Sequence, residues 1–173
     1  IDYLNKIKTN QLKLNNIQYI LVGGGPTQKQ IIKQALSLNL PIYLTYGMSE
    51  FASQIATIKC NRNNLNYTGK LLSHVNVKLN NNEILIQGKS LYTAYLINGK
   101  RIVKKNPTGW FNTKDLGTIK NNKIHIIGRK DRMFISGGEN IHPEEIETAI
   151  LNTGIVKKVI VKSKKNIEYG FRP

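Results

Sequence analysis

Hydrophobic periodicity shifts from helical to two-residue spacing near residue 65, and that shift limits what this chain can fold into. Before it, Ile17 to Val22 form a continuous apolar run that Gly23-Gly24-Gly25-Pro26 stops abruptly. Ile31, Ile32, Ala35, Leu36 and Leu38 then recur at helical spacing up to Pro41, with Thr27 placed to cap the helix. Pro41 to Leu44 supplies a second short strand ending at Tyr46-Gly47. This order predicts a β-α-β unit with a parallel strand pair, a first strand buried on both faces, and a ligand crevice at the strand ends. Beyond residue 65 the spacing predicts short antiparallel strands over Val75–Leu79, Glu83–Gln87, Ile102–Lys104, Gly117–Lys120 and Lys123–Ile127. Asn80-Asn81-Asn82 and Asn121-Asn122 sit where hairpin turns need residues that tolerate positive φ.

After Phe134-Ile135 the pattern is mixed again. Ser136-Gly137-Gly138-Glu139-Asn140 leads into a helix with Pro143 in its first turn, Glu144, Glu145 and Glu147 toward its positive end, and Ile146, Ala149 and Ile150 facing inward. A last strand is expected over Lys157–Val161. The fold class is therefore α/β and β, in three parts: 1–66, a β-rich stretch 67–130, and an incomplete α+β unit 131–173.

Charge raises one function class and its distribution removes it. A net charge of +16 would suit a nucleic-acid partner, but the lysines are spread through almost every segment, as an AT-rich genome produces, without interleaved aromatic stacking residues. The densest cluster, Lys157, Lys158, Lys162, Lys164 and Lys165, reads as a solvated face. No apolar run approaches the roughly 20 residues of a membrane-spanning helix. Ile1-Asp2-Tyr3-Leu4 has neither an initiator Met nor a leader, and Glu168 to Pro173 has no evident domain end, so both termini read as cuts in a longer protein. One cysteine, Cys60, forms no intramolecular disulfide and has no nucleophile signature around it. His74, His125 and His142 lack metal-ligand spacing.

Three stretches carry chemical information: Tyr46-Gly47-Met48-Ser49-Glu50, Trp110-Phe111-Asn112-Thr113-Lys114-Asp115-Leu116-Gly117, and Gly128-Arg129-Lys130-Asp131 onward to Glu147. Together with Gly23 to Pro26, their order and spacing resemble the motifs of the acyl-adenylate-forming acid-CoA ligase superfamily, with Ser49 where Thr is usual and Lys114 where Gly is usual. That resemblance implies the end of a large adenylate-forming domain followed by part of a small one. It also implies ATP, Mg²⁺ and CoA as cofactors or substrates, a small-molecule acid as partner, and a cytoplasmic or organelle-stromal location. A homo-oligomer is compatible with it.

The residue roles follow from the same resemblance. Ser49 offers a donor near phosphate, and Glu50 offers Mg²⁺ a hard oxygen. Tyr46 and Gly47 hold the base, with Tyr46 presenting a face for adenine, and Gly23, Gly24 and Gly25 leave room for ligand. Asp115 accepts from the ribose hydroxyls while Arg129 donates to the same sugar. Asp131 is the hinge, and Gly137 and Gly138 admit the pantetheine arm. Taken one at a time, each has a plainer reading: a tight turn for the glycines, a surface charge for Glu50, core aromatics for Tyr46 and Trp110, a turn cap for Asp115.

YGMSEFASQ from Tyr46, VKLNNNEILIQGKSLYTAYLINGK from Val77, and the terminal EYGFRP resemble the 2-succinylbenzoate-CoA ligase branch, whose work lies in menaquinone or phylloquinone synthesis. Two other readings stay open: a ligase for a fatty or aryl acid, and a non-catalytic relic. The family's phosphate loop belongs before Ile1 and its adenylation lysine after Pro173, so this chain alone is not expected to complete catalysis.

Overall fold

A computed structural model of the chain describes residues 2–9, 16–103 and 108–173. Helix α1 (Asp2–Lys8) precedes strand β1 (Ile20–Val22), helix α2 (Lys29–Ser37) and strand β2 (Ile42–Met48). Strands β3 (Ser53–Lys59), β4 (Gly69–Leu71), β5 (Asn76–Asn80), β6 (Glu83–Gln87), β7 (Tyr95–Ile97), β8 (Lys100–Ile102), β9 (Phe111–Lys120) and β10 (Lys123–Arg129) follow. Beyond them lie β11 (Phe134–Ser136), β12 (Glu139–Ile141), α3 (Pro143–Asn152), β13 (Lys164–Asn166) and β14 (Gly170–Arg172). No described helix is long and apolar enough to cross a membrane.

The β-α-β unit forms as its periodicity predicts, with β1 and β2 parallel in the register Ile20 opposite Ile42. Two details differ. Among the described residues strand β1 lies at one end of its sheet, paired with β2, and Leu21 within it is 57% exposed rather than buried. Nor does Thr27 cap α2; Gln28 takes the N-cap position in an extended conformation without a side-chain cap. The C-terminal end comes before Pro41, with Asn39 at φ 56° reversing the chain.

One sheet of eight strands, ordered β1-β2-β3-β4-β10-β9-β6-β5, runs from this unit through the β-rich stretch. Residue 66 marks no break in it, because β3 pairs directly with β4. The hairpin asparagines do what their chemistry suggests: Asn81, Asn82, Asn121 and Asn122 have φ of 48°, 62°, 50° and 60° and close the β5–β6 and β9–β10 hairpins. Strand β9 begins six residues earlier than the pattern indicated, at Phe111, because alternation there is masked by polar residues facing a site rather than solvent. The strand expected at Ile102–Lys104 is β8, shifted back to Lys100–Ile102; Lys104 lies outside the described residues.

Burial concentrates in two clusters. The larger joins Tyr46, Phe51, Ile55, Ile84, Ile86, Phe111 and Ile124 beneath the sheet, and the smaller packs Ile32 and Ala35 of α2 against Ile42 and Cys60. After Asp131 a separate four-stranded sheet, β12-β11-β14-β13, takes over. Helix α3 has Pro143 at its start and two acids in its first turn, but it buries Pro143 and Glu144 while Ala149 is exposed. Its N-terminal end, rather than its apolar side, meets β10. Residues 157–161 form no strand: the Val161 amide donates to the Glu147 carboxylate at 2.9 Å, which removes it from any ladder. The lysines of that stretch are exposed, as a solvated face requires.

Candidate functional site

Strand β2 carries the first group of candidates. A bulge between Tyr46 and Gly47 shifts its register against β3, and an added Cβ at Gly47 would run into the Ser53 carbonyl oxygen. Glycine is thus required where the backbones close up. The strand then gives way to a single 3₁₀ turn, Ser49–Phe51, that anchors Phe51 in the core and leaves Ser49 exposed and Glu50 half-buried at the strand's end. Across the sheet Gly23 leaves β1 beside β2, where a Cβ would lie 2.6 Å from Thr45. Gly24 has φ +83°, while a side chain at Gly25 would meet nothing.

The second group comes from β9 and β10. Thr113 Oγ1 donates to the Ile84 carbonyl at 2.8 Å and accepts the Asp115 amide at 3.0 Å, so it locks the strand one step before Asp115. Lys114 adopts φ 64°, and its carbonyl accepts the Lys130 amide at 2.7 Å. That left-handed backbone is one that glycine adopts freely and Lys114 adopts at some strain. Asp115 and Arg129 are cross-strand partners.

Tyr46 donates its hydroxyl to Asp115 Oδ2 at 2.6 Å although 69 positions separate them. Arg129 donates to Asp115 Oδ1 at 3.4 Å and grips Asp131 through two bonds, of 3.0 and 2.8 Å. Burial pushes the Asp115 carboxyl above its ordinary range, against the opposing pull of Tyr46 and Arg129. Burial and then the Asp115 charge raise the Tyr46 phenol well above its usual value, so it remains a donor. Arg129 holds Asp131 below the ordinary carboxylate range. Asp115 and Tyr46 are both buried, at 7% and 8% exposure, which gives Tyr46 a core position with its hydroxyl turned to the carboxylate instead of an open ring face.

Glu50 accepts the Tyr95 hydroxyl at 2.6 Å through Oε1, and its carbonyl accepts the Tyr92 amide at 2.7 Å. Gly137 and Gly138 stand apart from these groups, at the tip of the β11–β12 hairpin beside Tyr169. An open cavity of about 530 Å³ lies there, lined by Ser136, Gly137, Glu139, Ile141, Tyr169 and Arg172. Trp110 is not a core aromatic; it is half-exposed under the Lys78 ammonium, 4.2 Å from the ring centre. Among the described residues no group of three or more His, Cys, Asp or Glu could hold a metal.

Several partners escaped sequence reasoning. Thr113 could have been found, since period two places it on Asp115's face of β9. Tyr95 gives no such signal, because its link to Glu50 spans 45 positions and a separate hairpin. Nor do the ion pairs that fan out after Gly128: Lys130 with buried Glu83 at 2.9 Å, and Arg132 with Glu144 at 2.9 Å and Glu147 at 2.6 Å. Arg129 and Lys130 reach back to the large sheet, whereas Arg132 reaches forward to α3, and Asp131 lies between.

No protein-family model matches the chain. It is 38% identical over 156 residues to the 2-succinylbenzoate–CoA ligase of Haemophilus influenzae, covering 90% of this chain and 34% of the relative. To the 2-succinylbenzoate–CoA ligase of Listeria innocua it is 36% identical over 162 residues, covering 91% and 35%. The solved o-succinylbenzoate CoA synthetase of Bacillus subtilis superposes with TM-score 0.85 in complex with the acyl-adenylate intermediate OSB-AMP and 0.83 with ATP and magnesium ion. Each match is 26% identical, covering 98% and 97% of this chain and 38% of the solved one. The chain is therefore a relative of the 2-succinylbenzoate–CoA ligases and spans about a third of their length, from 34% to 35% for the two curated relatives.

Proposed function

We propose that this chain is part of an ATP-dependent, AMP-forming acid-CoA ligase that activates 2-succinylbenzoate as its adenylate and passes the acyl group to CoA, in menaquinone or phylloquinone synthesis. The observation that carries the reading is the convergence of Tyr46, Asp115, Arg129 and Asp131, drawn from three separate motifs, in a chain whose relatives are named for that acid. Such a ligase must hold a nucleotide, align a carboxylate with the α-phosphorus and neutralise departing pyrophosphate.

Asp115 is the ribose acceptor. Each of its oxygens keeps a second lone-pair site beyond the bonds from Tyr46 and Arg129, so it accepts from vicinal hydroxyls without releasing either. Arg129 donates to the same sugar. Tyr46 orients Asp115 through its hydroxyl. Gly23 to Gly25 leave backbone accessible beside the acyl group, and Ser49 donates toward phosphate. Glu50 suits Mg²⁺, which takes one or two carboxylates together with substrate phosphates and keeps several waters. Bound there, the ion would screen the charge that develops on the phosphates.

The division into 1–66, 67–130 and 131–173 then corresponds to the end of the large domain, its β-rich lobe, and a small domain that turns about Asp131. Gly137 and Gly138 line the thioester-forming state, close to the Tyr169 cavity. The test is pyrophosphate exchange by the full-length ligase carrying this sequence, across 2-succinylbenzoate, fatty acids and aryl acids. Exchange driven by 2-succinylbenzoate and dependent on Mg²⁺ is expected. Exchange with another acid alone overturns the substrate, and none with any acid overturns the enzyme reading in favour of a relic.

A further inference from the structure

Glu50 is held by Tyr95, a side chain outside the three stretches to which site roles are assigned. The Tyr95 hydroxyl lies 2.6 Å from Glu50 Oε1, within the range of a strong charge-assisted bond. Tyr95 opens β7, a three-residue strand that among the described residues pairs with β8 in a two-stranded sheet, a short ladder. Aromatic packing fixes its position. The Tyr95 ring is 4.6 Å from that of Tyr92, and Tyr92 meets Phe111 edge-on at 5.4 Å. Phe111 begins β9, the strand that carries Asp115. The Tyr92 amide also donates to the Glu50 carbonyl at 2.7 Å, which ties the same segment to the backbone of the residue whose carboxylate Tyr95 holds.

We propose that Tyr95 is a positioning residue for Glu50, setting its carboxylate so that a phosphate-bound divalent cation meets a preoriented oxygen. The inference rests on the ligase reading of Glu50. A neutral phenol suits this task better than Lys or Arg would, because it orients the carboxylate without cancelling the charge that attracts the cation. The path Glu50–Tyr95–Tyr92–Phe111 further couples the cation-side carboxylate to the strand of the ribose-side carboxylate, which keeps the two ends of one nucleotide site in register.

The test uses Mn²⁺ as probe, titrated by electron paramagnetic resonance into the full-length ligase at saturating ATP, with Tyr95→Phe, Tyr92→Phe and Glu50→Gln compared. Removing an outer-shell partner of a metal ligand typically costs about 10–100-fold in metal affinity. Tyr95→Phe keeps the ring stack and is expected to weaken Mn²⁺ by about tenfold, leaving metal-free ATP affinity and melting temperature near wild type. Tyr92→Phe keeps the stack and the Tyr95–Glu50 bond and removes only the hydroxyl beside the Tyr95 phenol, so it is expected to weaken Mn²⁺ less than Tyr95→Phe does. If Glu50→Gln weakens Mn²⁺ and Tyr95→Phe does not, the positioning role is wrong. If Tyr95→Phe lowers metal-free ATP affinity as much as Mn²⁺ affinity, Tyr95 is scaffold and the proposal is overturned. If Glu50→Gln itself leaves Mn²⁺ affinity unchanged, the failure lies in the ligase reading of Glu50, and the inference falls with it.

Discussion

Replacing Tyr46 by Phe deletes one oxygen from the buried site and keeps the ring. That oxygen donates at 2.6 Å to Asp115, whose side chain is 10% exposed, so no water readily takes its place. A hydrogen bond to a charged acceptor contributes about 1.5–3 kcal/mol, and leaving a buried acceptor unpaired costs a similar amount. Arg129 offsets little, since it sits 3.4 Å away with a side chain 41% exposed to screening solvent. A loss of about 2 kcal/mol is expected at pH 8. The pH dependence follows from Asp115. Burial raises its folded-state pKa above the unfolded one, and losing the phenol raises it further. Folding then favours the protonated acid, so the penalty of an ionised Asp115 is present at high pH and fades as pH falls through its raised folded value. The Tyr46→Phe deficit should accordingly shrink between pH 8 and pH 4, the ordinary carboxylate range. Urea unfolding of the chain, followed by its one Trp and by circular dichroism, gives the loss at each pH. A cycle with Asp115→Asn should return a coupling of about 1–2 kcal/mol. A coupling below about 0.5 kcal/mol, or an equal deficit at both pH values, refutes the argument.

Gly47→Ala should cost about 2 kcal/mol or more in urea unfolding because its Cβ has no room beside Ser53, whereas Gly25→Ala, which meets open space, should change stability by less than about 0.5 kcal/mol. Arg132 holds Glu147 below the ordinary carboxylate range, so the stability this pair supplies is present above the unfolded carboxylate pKa and is lost as pH falls through the folded one. Glu147→Gln should therefore flatten the acid limb of a melting-temperature profile between pH 5 and pH 3. On the proposed reading, Asp131→Pro in the full-length protein would fix φ at the proposed hinge and should spare pyrophosphate exchange while impairing thioester formation from supplied acyl-adenylate; equal loss of both would remove the hinge assignment.

Much of the local architecture was legible in the sequence because it depends on neighbours along the chain. The β-α-β unit follows from apolar spacing interrupted by Gly23 to Pro26, and the hairpins from paired asparagines that tolerate positive φ. The start of α3 at Pro143 is equally local. So are the motif residues themselves, whose types suit phosphate, ribose and cation chemistry wherever they lie. Tertiary structure decided which of them touch. Nothing within reach of Tyr46 along the chain announces that its hydroxyl belongs to Asp115, nor that Glu50 is held by Tyr95 from a hairpin 45 residues on. The place of β1 in the sheet was likewise undecided, because an apolar run says that a strand prefers burial and not which strand it pairs with, here β2 in parallel. Residues 157–161 show the same limit: their strand propensity lost to one carboxylate, Glu147, fixed by Arg132 and aimed at the Val161 amide. Propensity is a sum over adjacent residues, whereas pairing and burial are settled by partners that only the folded chain brings within a few ångströms.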